Sequence, residues 1–375
     1  MKHLEPTKLF VAVCLLASVA SLSALKGFIP RPQIWGTYFW FITYQFGFTR
    51  RGLVGTLMEP WLQGVDPDTA EARLVVVHIV LLLALVGLIL VLAGRFIRHT
   101  RSVAAAILCA VFLSSHFLTT IAYNGRYPDP LIAVLLVLMA IALERRARLP
   151  MAMGLLIIGT LMHEMFLIFA CPLILFGLYK SHWQPQSRFP VKKFAQVLVI
   201  FLIHAGLMAL LIVRAETPSS QFMAIFQNAG ISEDVARTVL EVQLSQGTGE
   251  ALSYMAAKWQ INWMNGILAS IYSLFPSGVM LLIYWTNFSG DRPPFKAQSN
   301  FSRTTYFTLF LFSCYGCLSI LALAWDLSRF LQFANLTTLL TCVLDTLIAD
   351  CPTAERDSWA LPHQDANDPK NYSIR

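Results

Sequence analysis

"PMAMGLLIIGTLMHEMFLIFACPLILFGLY", residues 150–179, is apolar almost throughout and carries His163 and Glu164 near its middle. As one helix it would be about 45 Å long, against about 30 Å for the hydrocarbon core of a bilayer. Its flanks decide how it is read. "ERRAR" (144–148) precedes it and "YKSHWQPQSRFPVKK" (179–193) follows it, and both are basic. Basic loops gather on the cytoplasmic side of a membrane, so both flanks belong on the same side. The stretch is therefore read as going out and coming back as two short helices, about 151–161 and 165–179, meeting at His163-Glu164; the rival, one long tilted helix and about nine segments in all, would put the basic 179–193 loop outside. Half-helices of that kind are tolerated in a membrane only when neighbouring helices bury them.

The rest of the chain suits such a setting. Its 375 residues are 56% hydrophobic and only 13% charged, where a soluble domain is nearer a quarter charged. Long apolar runs without period-2 alternation exclude a β-barrel. The net charge of +7 is what basic cytoplasmic loops produce, and nucleic acid is not an expected partner. The seven cysteines lie mostly within apolar runs and form no disulfide framework.

Working outward from 150–179 gives an all-α polytopic bundle of about ten membrane segments, N-in and C-in. Residues 1–26 have the basic start, apolar middle and small residues of a signal peptide but read, with many spans following, as an uncleaved first span, and further spans are expected at about 74–94, 102–122, 131–143, 194–213, 267–285, 306–324 and 331–348. "RFIRHTR" (95–101) and 286–303 then join the other basic loops inside, with most of the chain's 28 lysines and arginines. The transmembrane domain spans 1–349, with outer loops at 27–73 and 214–266. Residues 350–375 form a polar cytoplasmic tail, expected to be disordered.

This arrangement sends four stretches with ionisable residues to the outer side: "FGFTRRGLVGTL" (46–57), "YNGRYPDPL" (123–131), "HE" (163–164) and "WDLSRF" (325–330). Charges at membrane depth are costly unless paired or solvated, so they mark candidate sites. One outward pocket would satisfy Arg50, Arg51, Arg126, Asp129, His163, Glu164, Asp326 and Arg329 together. Local explanations compete: Arg50 and Arg51 can snorkel from an interfacial helix, Arg126 and Asp129 can pair within their turn, and Asp326 and Arg329 are spaced i,i+3 for a helical pair.

Other signals are weaker. "HEMFL" lacks the second histidine of a zinc-protease motif. Asp66 and Asp68 form a DxD pair at which a divalent metal could dock a sugar phosphate, but no cofactor is required. His78, His116 and His204 fall within spans, as hydrogen-bonded core residues. In the 214–266 loop, "ISEDVARTVLEVQLS" reads as a helix capped by Ser232, and "ALSYMAAKWQINWMNG" as an interfacial helix.

The layout of short paired helices, in-plane outer-loop helices and outward acids and arginines resembles the GT-C class of membrane glycosyltransferases and the O-antigen-polymerase-type proteins of bacterial glycan assembly. The motifs "GFTRRGLVG", "GRYPDP", "HE" and "WDLSR" are similar to those of polytopic proteins from exopolysaccharide clusters. The resemblance implies a multi-pass protein of the bacterial inner membrane that transfers sugars or polymerises glycan on the extracytoplasmic face. Its partners would be a polyprenyl-phosphate-linked sugar or lipid-linked glycan, membrane lipid, and other glycan-assembly proteins. In that role Asp129 would be the proton acceptor, with Glu164 a second carboxylate and His163 orienting it. Arg50, Arg51, Arg126, Asp326 and Arg329 would hold phosphate and substrate. Two other classes fit the residues: a transporter of organic anions or lipid-linked glycans, and a non-catalytic membrane subunit of a glycan-assembly complex.

Overall fold

The computed structural model describes residues 5–28, 34–44, 52–124, 127–144, 149–163, 165–182, 201–206, 219–238, 270–288, 300–316 and 327–349, with a few single positions between them. Every regular element among them is a helix. In chain order these are α1 (Pro6–Phe28), a 3-10 turn (Ile34–Trp40), α2 (Gly52–Leu62), α3 (Pro67–Thr100), α4 (Val103–Ser114), α5 (His116–Tyr123), α6 (Asp129–Leu143), α7 (Leu149–Met162) and α8 (Met165–His182). Then come α9 (Ser219–Asn228), α10 (Glu233–Thr238), α11 (270–288), α12 (Asn300–Tyr315) and α13 (Leu327–Ala349).

Local chemistry sets several of these boundaries. Asp66 caps α3 by accepting from the Thr69 backbone N–H at 3.0 Å, Pro67 starts the helix, and Arg98 and His99 lie in its last turn, a cation placement that suits the C-terminal dipole. Ser102 and Ser115 cap α4 and α5 through their hydroxyls. The Ser115 cap divides the single span expected at 102–122 into two helices.

The expected break in 150–179 falls at His163, between α7 and α8. The two helices form a hairpin. Gly177 near the end of α8 lies against the Leu143 side chain, and Leu143 precedes Leu149 by six residues, a gap of at most about 22 Å. By Gly177 the chain is back beside the end of α6, and α7 and α8 pack on each other and both on α6. This end also holds an ion pair between Arg95 of α3 and Glu144, just past the end of α6. It is called the Glu144 end below, and the opposite one the Asp129 end.

Four stretches are long and apolar enough to cross a membrane: Thr7–Phe28, Pro67–Thr100, Val103–Tyr123 and Leu331–Ile348. Asp129–Leu143, Leu149–Met162 and Met165–Lys180 are shorter apolar helices. The first two long spans are only 17% and 28% buried, whereas Leu331–Ile348 is 94% buried. The periphery exposes Phe10, Leu15, Leu22, Val76, Val80 and Leu83, an apolar surface that water would not tolerate over several helices. The enclosed α13 is instead rich in polar side chains, among them Gln332, Asn335, Thr337, Thr341 and Asp345, all buried. An apolar exterior around a partly polar centre defines a helical membrane protein.

α13 packs against α3, α4, α5, α6, α8 and α12, and its polar groups pair with α11 and α12. Gln332 Nε2 donates to Ser273 Oγ at 3.1 Å, Asn335 Nδ2 to the Ser273 carbonyl at 2.9 Å, and Thr337 Oγ1 to the Cys314 carbonyl at 2.8 Å. Ser313 and Thr341 share a hydrogen bond of 2.7 Å. At the periphery α1 meets α5 closely. Ser23 Oγ donates to the Leu113 carbonyl, Thr119 Oγ1 donates to the Ser23 carbonyl, and a side chain at Gly27 would overlap the Thr119 carbonyl. Small residues that let backbones approach are a recurrent device of membrane helices.

Two expectations are corrected. "RFIRHTR" (95–101), read as a basic loop, is the C-terminal part of α3 as far as Thr100. Lys180, counted in a basic loop at 179–193, belongs to α8 and is buried. Residues 183–193 of that loop lie outside the described residues.

Candidate functional site

Asp129 opens α6, where Pro130 supplies the fixed backbone angle favoured in a first turn. The preceding turn is closed by hydrogen bonds from Asn124 N–H to the Thr120 carbonyl at 2.9 Å and from Tyr127 N–H to the Asn124 carbonyl at 2.8 Å. A stiff, proline-flanked turn holds the carboxylate at the helix N-terminus, where the dipole favours negative charge. His163 occupies the α7–α8 break. Its Nδ1 accepts the Met165 backbone N–H at 3.2 Å, so the ring caps α8, and its neutral form carries the proton on Nε2. Asp129 and His163 are each 1% exposed.

The segment 34–44 brings these two elements together. The Phe39 ring lies 5.4 Å from that of Tyr127 and 6.0 Å from that of His163. The segment is tied down at its far side: the Tyr44 N–H donates to Thr56 Oγ1 at 2.9 Å and the Tyr44 hydroxyl to the Leu161 carbonyl at 3.4 Å. Burial raises the Tyr44 pKa, offset in part by a backbone hydrogen bond with Leu53. Gly55 of α2 sits so close to the Ile42 backbone that no side chain fits there. Further along, Tyr38 packs on Phe226 of α9, with ring centroids 6.3 Å apart.

The other side of this segment walls a cavity of about 700 Å³, lined by Trp40, Phe41, Thr43, Glu59, Gln63, Asp66 and Asn228 among others. The turn between α2 and α3 shapes it: Gly64 has φ 74°, a conformation suited to glycine. Arg73 donates to the Trp61 carbonyl, linking α3 to the end of α2. Gly230, with φ 72°, lets the α9–α10 turn rest against Pro67. The Thr69 side chain and then its backbone N–H hold the Asp66 carboxyl below the usual carboxylate range.

Of the residues singled out in the sequence, His163 is thus linked through Phe39 to Tyr127, which stands two residues before Asp129. Arg329 falls in the first turn of α13. Arg50, Arg51, Arg126, Glu164 and Asp326 lie outside the described residues. Of the DxD pair, Asp66 lines the cavity and Asp68 does not. Among the described residues no three His, Cys, Asp or Glu side chains are grouped as metal ligands.

Sequence reading missed a second polar centre. At the Glu144 end, Lys180 Nζ lies 2.5 Å from Asp345 Oδ1, the Tyr284 hydroxyl donates to Asp345 Oδ2, and the Lys180 ammonium stands 5.3 Å from the Tyr306 ring centroid. Asp345 was visible as a lone acid within the apolar stretch "TCVLDTLIA" (341–349). No protein-family model, curated protein or solved structure matches the chain.

Proposed function

We propose that the protein is a membrane-embedded transferase. It moves a sugar from a polyprenyl-phosphate carrier to a glycan acceptor, or polymerises such glycans, on the extracytoplasmic face of the bacterial inner membrane. In this reading the Asp129 end faces outward, the Glu144 end faces the cytoplasm, and about ten segments span or enter the bilayer. The observation that carries it is the burial of Asp129 and His163, with Phe39 packed on His163 and on Tyr127, two residues before Asp129.

The chemistry follows from those groups. A buried carboxylate at Asp129 accepts the proton of an attacking hydroxyl when that hydroxyl comes within hydrogen-bond reach. His163, with Nδ1 engaged by Met165, offers an Nε2–H to an oxygen of substrate or to Glu164. Arg50, Arg51, Arg126 and Arg329 supply planar forks for the phosphate charge that grows as the carrier departs. Asp326 completes the substrate-binding set. The apolar flank of the bundle receives the polyprenyl tail.

The test pairs activity with abundance. Asp129→Asn and Glu164→Gln should each lower glycan product by about 10² to 10⁴ in rate, with membrane protein level near normal by immunoblot. Arg126→Lys should also reduce product, because an ammonium lacks the bidentate fork. Full product from both carboxylate variants would overturn the reading.

A transporter is the second reading, favoured by the Lys180–Asp345 pair, which gives the bundle buried charge at both ends. It predicts movement of a lipid-linked glycan or organic anion across proteoliposomes without covalent change, lost in Lys180→Met.

A further inference from the structure

We infer that the cavity between Trp40, Glu59 and Asn228 binds a hydroxyl-rich saccharide, neutral or amino-bearing, and serves as the acceptor subsite; the acceptor role rests on the transferase reading, the saccharide site does not. The volume, about 700 Å³, lies in the range of small-ligand pockets and accommodates a short oligosaccharide. Its lining separates into two kinds of surface. Trp40, Phe41 and Leu62 are buried and form an apolar floor, while Glu59 is half-buried and Gln63, Asp66 and Asn228 are exposed around it. A sugar ring presents the same division, with apolar C–H faces and a rim of hydroxyls.

Charge narrows the ligand class. Among the described lining residues the ionisable groups are the acids Glu59 and Asp66, with no lysine or arginine. A phosphate would be repelled there, so the carrier's phosphates belong elsewhere. Hydroxyls and ammonium groups suit the site, because carboxylates are acceptors only and each can take several donors, while the Gln63 and Asn228 amides both donate and accept.

The walls are held by contacts within the chain itself. The 34–44 segment is pinned at Tyr44 and pressed onto Gly55, the α2–α3 turn is held through Arg73 and the Asp66 cap, and α9 is anchored by Phe226 on Tyr38. Walls that need no ordering on binding spare the ligand that cost. Position adds the last argument. Phe39 meets Tyr127 and His163, while the adjacent Trp40 and Phe41 line the cavity. One short stretch of chain therefore separates the cavity from the Asp129 end of α6.

The experiment uses full-length protein in lipid nanodiscs and a panel of neutral, N-acetylated and amino disaccharides at roughly 10 mM. Glucose 1-phosphate and MgCl₂ are the contrasting probes. Binding is read as a rise in melting temperature, expected at about 2 °C or more for at least one disaccharide. Glucose 1-phosphate should give none. The Glu59→Gln/Asp66→Asn double variant keeps side-chain shape and the α3 cap; it should melt like the parent without ligand and lose the shift. Asp129→Asn should keep the shift.

A panel without any shift, a shift that survives in the double variant, or a shift with Mg²⁺ alone would overturn the site. The two readings fail separately. Saccharide binding with full product from Asp129→Asn would remove the transferase and the acceptor role but leave the site; lost product without saccharide binding would do the reverse.

Discussion

Lys180 Nζ and Asp345 Oδ1 are 2.5 Å apart in the bundle interior, with their side chains only 4% and 2% exposed. The pair joins α8 to α13, and Tyr284 extends it to α11. Two charges so enclosed are held by each other, because neither has water to fall back on. Removing one partner leaves the other stranded, whereas removing both removes the need for pairing. Lys180→Met alone should therefore lower stability by about 3–5 kcal/mol, and Lys180→Met with Asp345→Asn should recover most of that loss. Thermal unfolding of detergent-solubilised protein, followed by size-exclusion chromatography, reads the difference. Equal melting points for the single and double variants would show that the pair does not hold the helices.

The close approach of α1 to α5 gives a second expectation. A methyl group at Gly27 meets the Thr119 backbone carbonyl, while one at Gly87 in the middle of α3 meets nothing within 4 Å. Gly27→Ala should cost about 1–3 kcal/mol through forced separation of the helices. Gly87→Ala should be neutral or slightly stabilising, since alanine is the better helix former. The same unfolding assay ranks the two, and a Gly27→Ala protein as stable as Gly87→Ala would contradict the packing.

His163 holds two roles that substitution can separate. As a cap it accepts the Met165 N–H, and in the proposed chemistry it offers the Nε2 proton. His163→Ala should lose both, with a stability cost of about 0.5–2 kcal/mol for the missing cap. His163→Asn keeps a capping acceptor and should restore melting temperature without restoring glycan product. Restored product in the Asn variant would make the residue a cap and nothing more.

Sidedness is checked along α3. Its 34 residues reach about 51 Å, long enough to bring its two ends to opposite faces of a bilayer. Gln63 and Arg98 are both exposed and stand near those ends. In a cysteine-free background, Gln63→Cys should react with an impermeant maleimide in intact cells, and Arg98→Cys should react only after permeabilisation. The reverse pattern would invert the proposed orientation.

The helical class and the α7–α8 break were readable before any coordinates, because each leaves a local mark. The apolar runs announce themselves, and a histidine and glutamate inside 150–179 with basic flanks admit few arrangements. What escaped depends on partners distant in sequence. A lysine at the end of an apolar run has the same local appearance whether it snorkels to a headgroup or, like Lys180, turns inward to an aspartate 165 residues away. The cavity is likewise assembled from 40–43, 59–70 and 224–229, pieces that carry no shared pattern. Glu59 and Asp66 look like ordinary acids of a polar loop, and only their common wall gives them a role.

The seclusion of α13 has a consequence for how the protein is made. A translocon sorts helices by apolarity as they emerge, and Leu331–Ile348 is the least apolar of the four long spans. Its Gln332, Asn335 and Asp345 would be poorly received by lipid alone. By the time it is synthesised, however, α3, α4, α5, α6, α8 and α12, all of which it contacts, already precede it on the nascent chain. Integration of this helix is thus a folding event, in which the earlier helices supply the slot and its hydrogen-bonding partners. Lesions in Ser273, Lys180 or Tyr284 should be felt in the cell first as a stalled or degraded α13, and quality-control proteases would meet the polar helix before any assay of activity could.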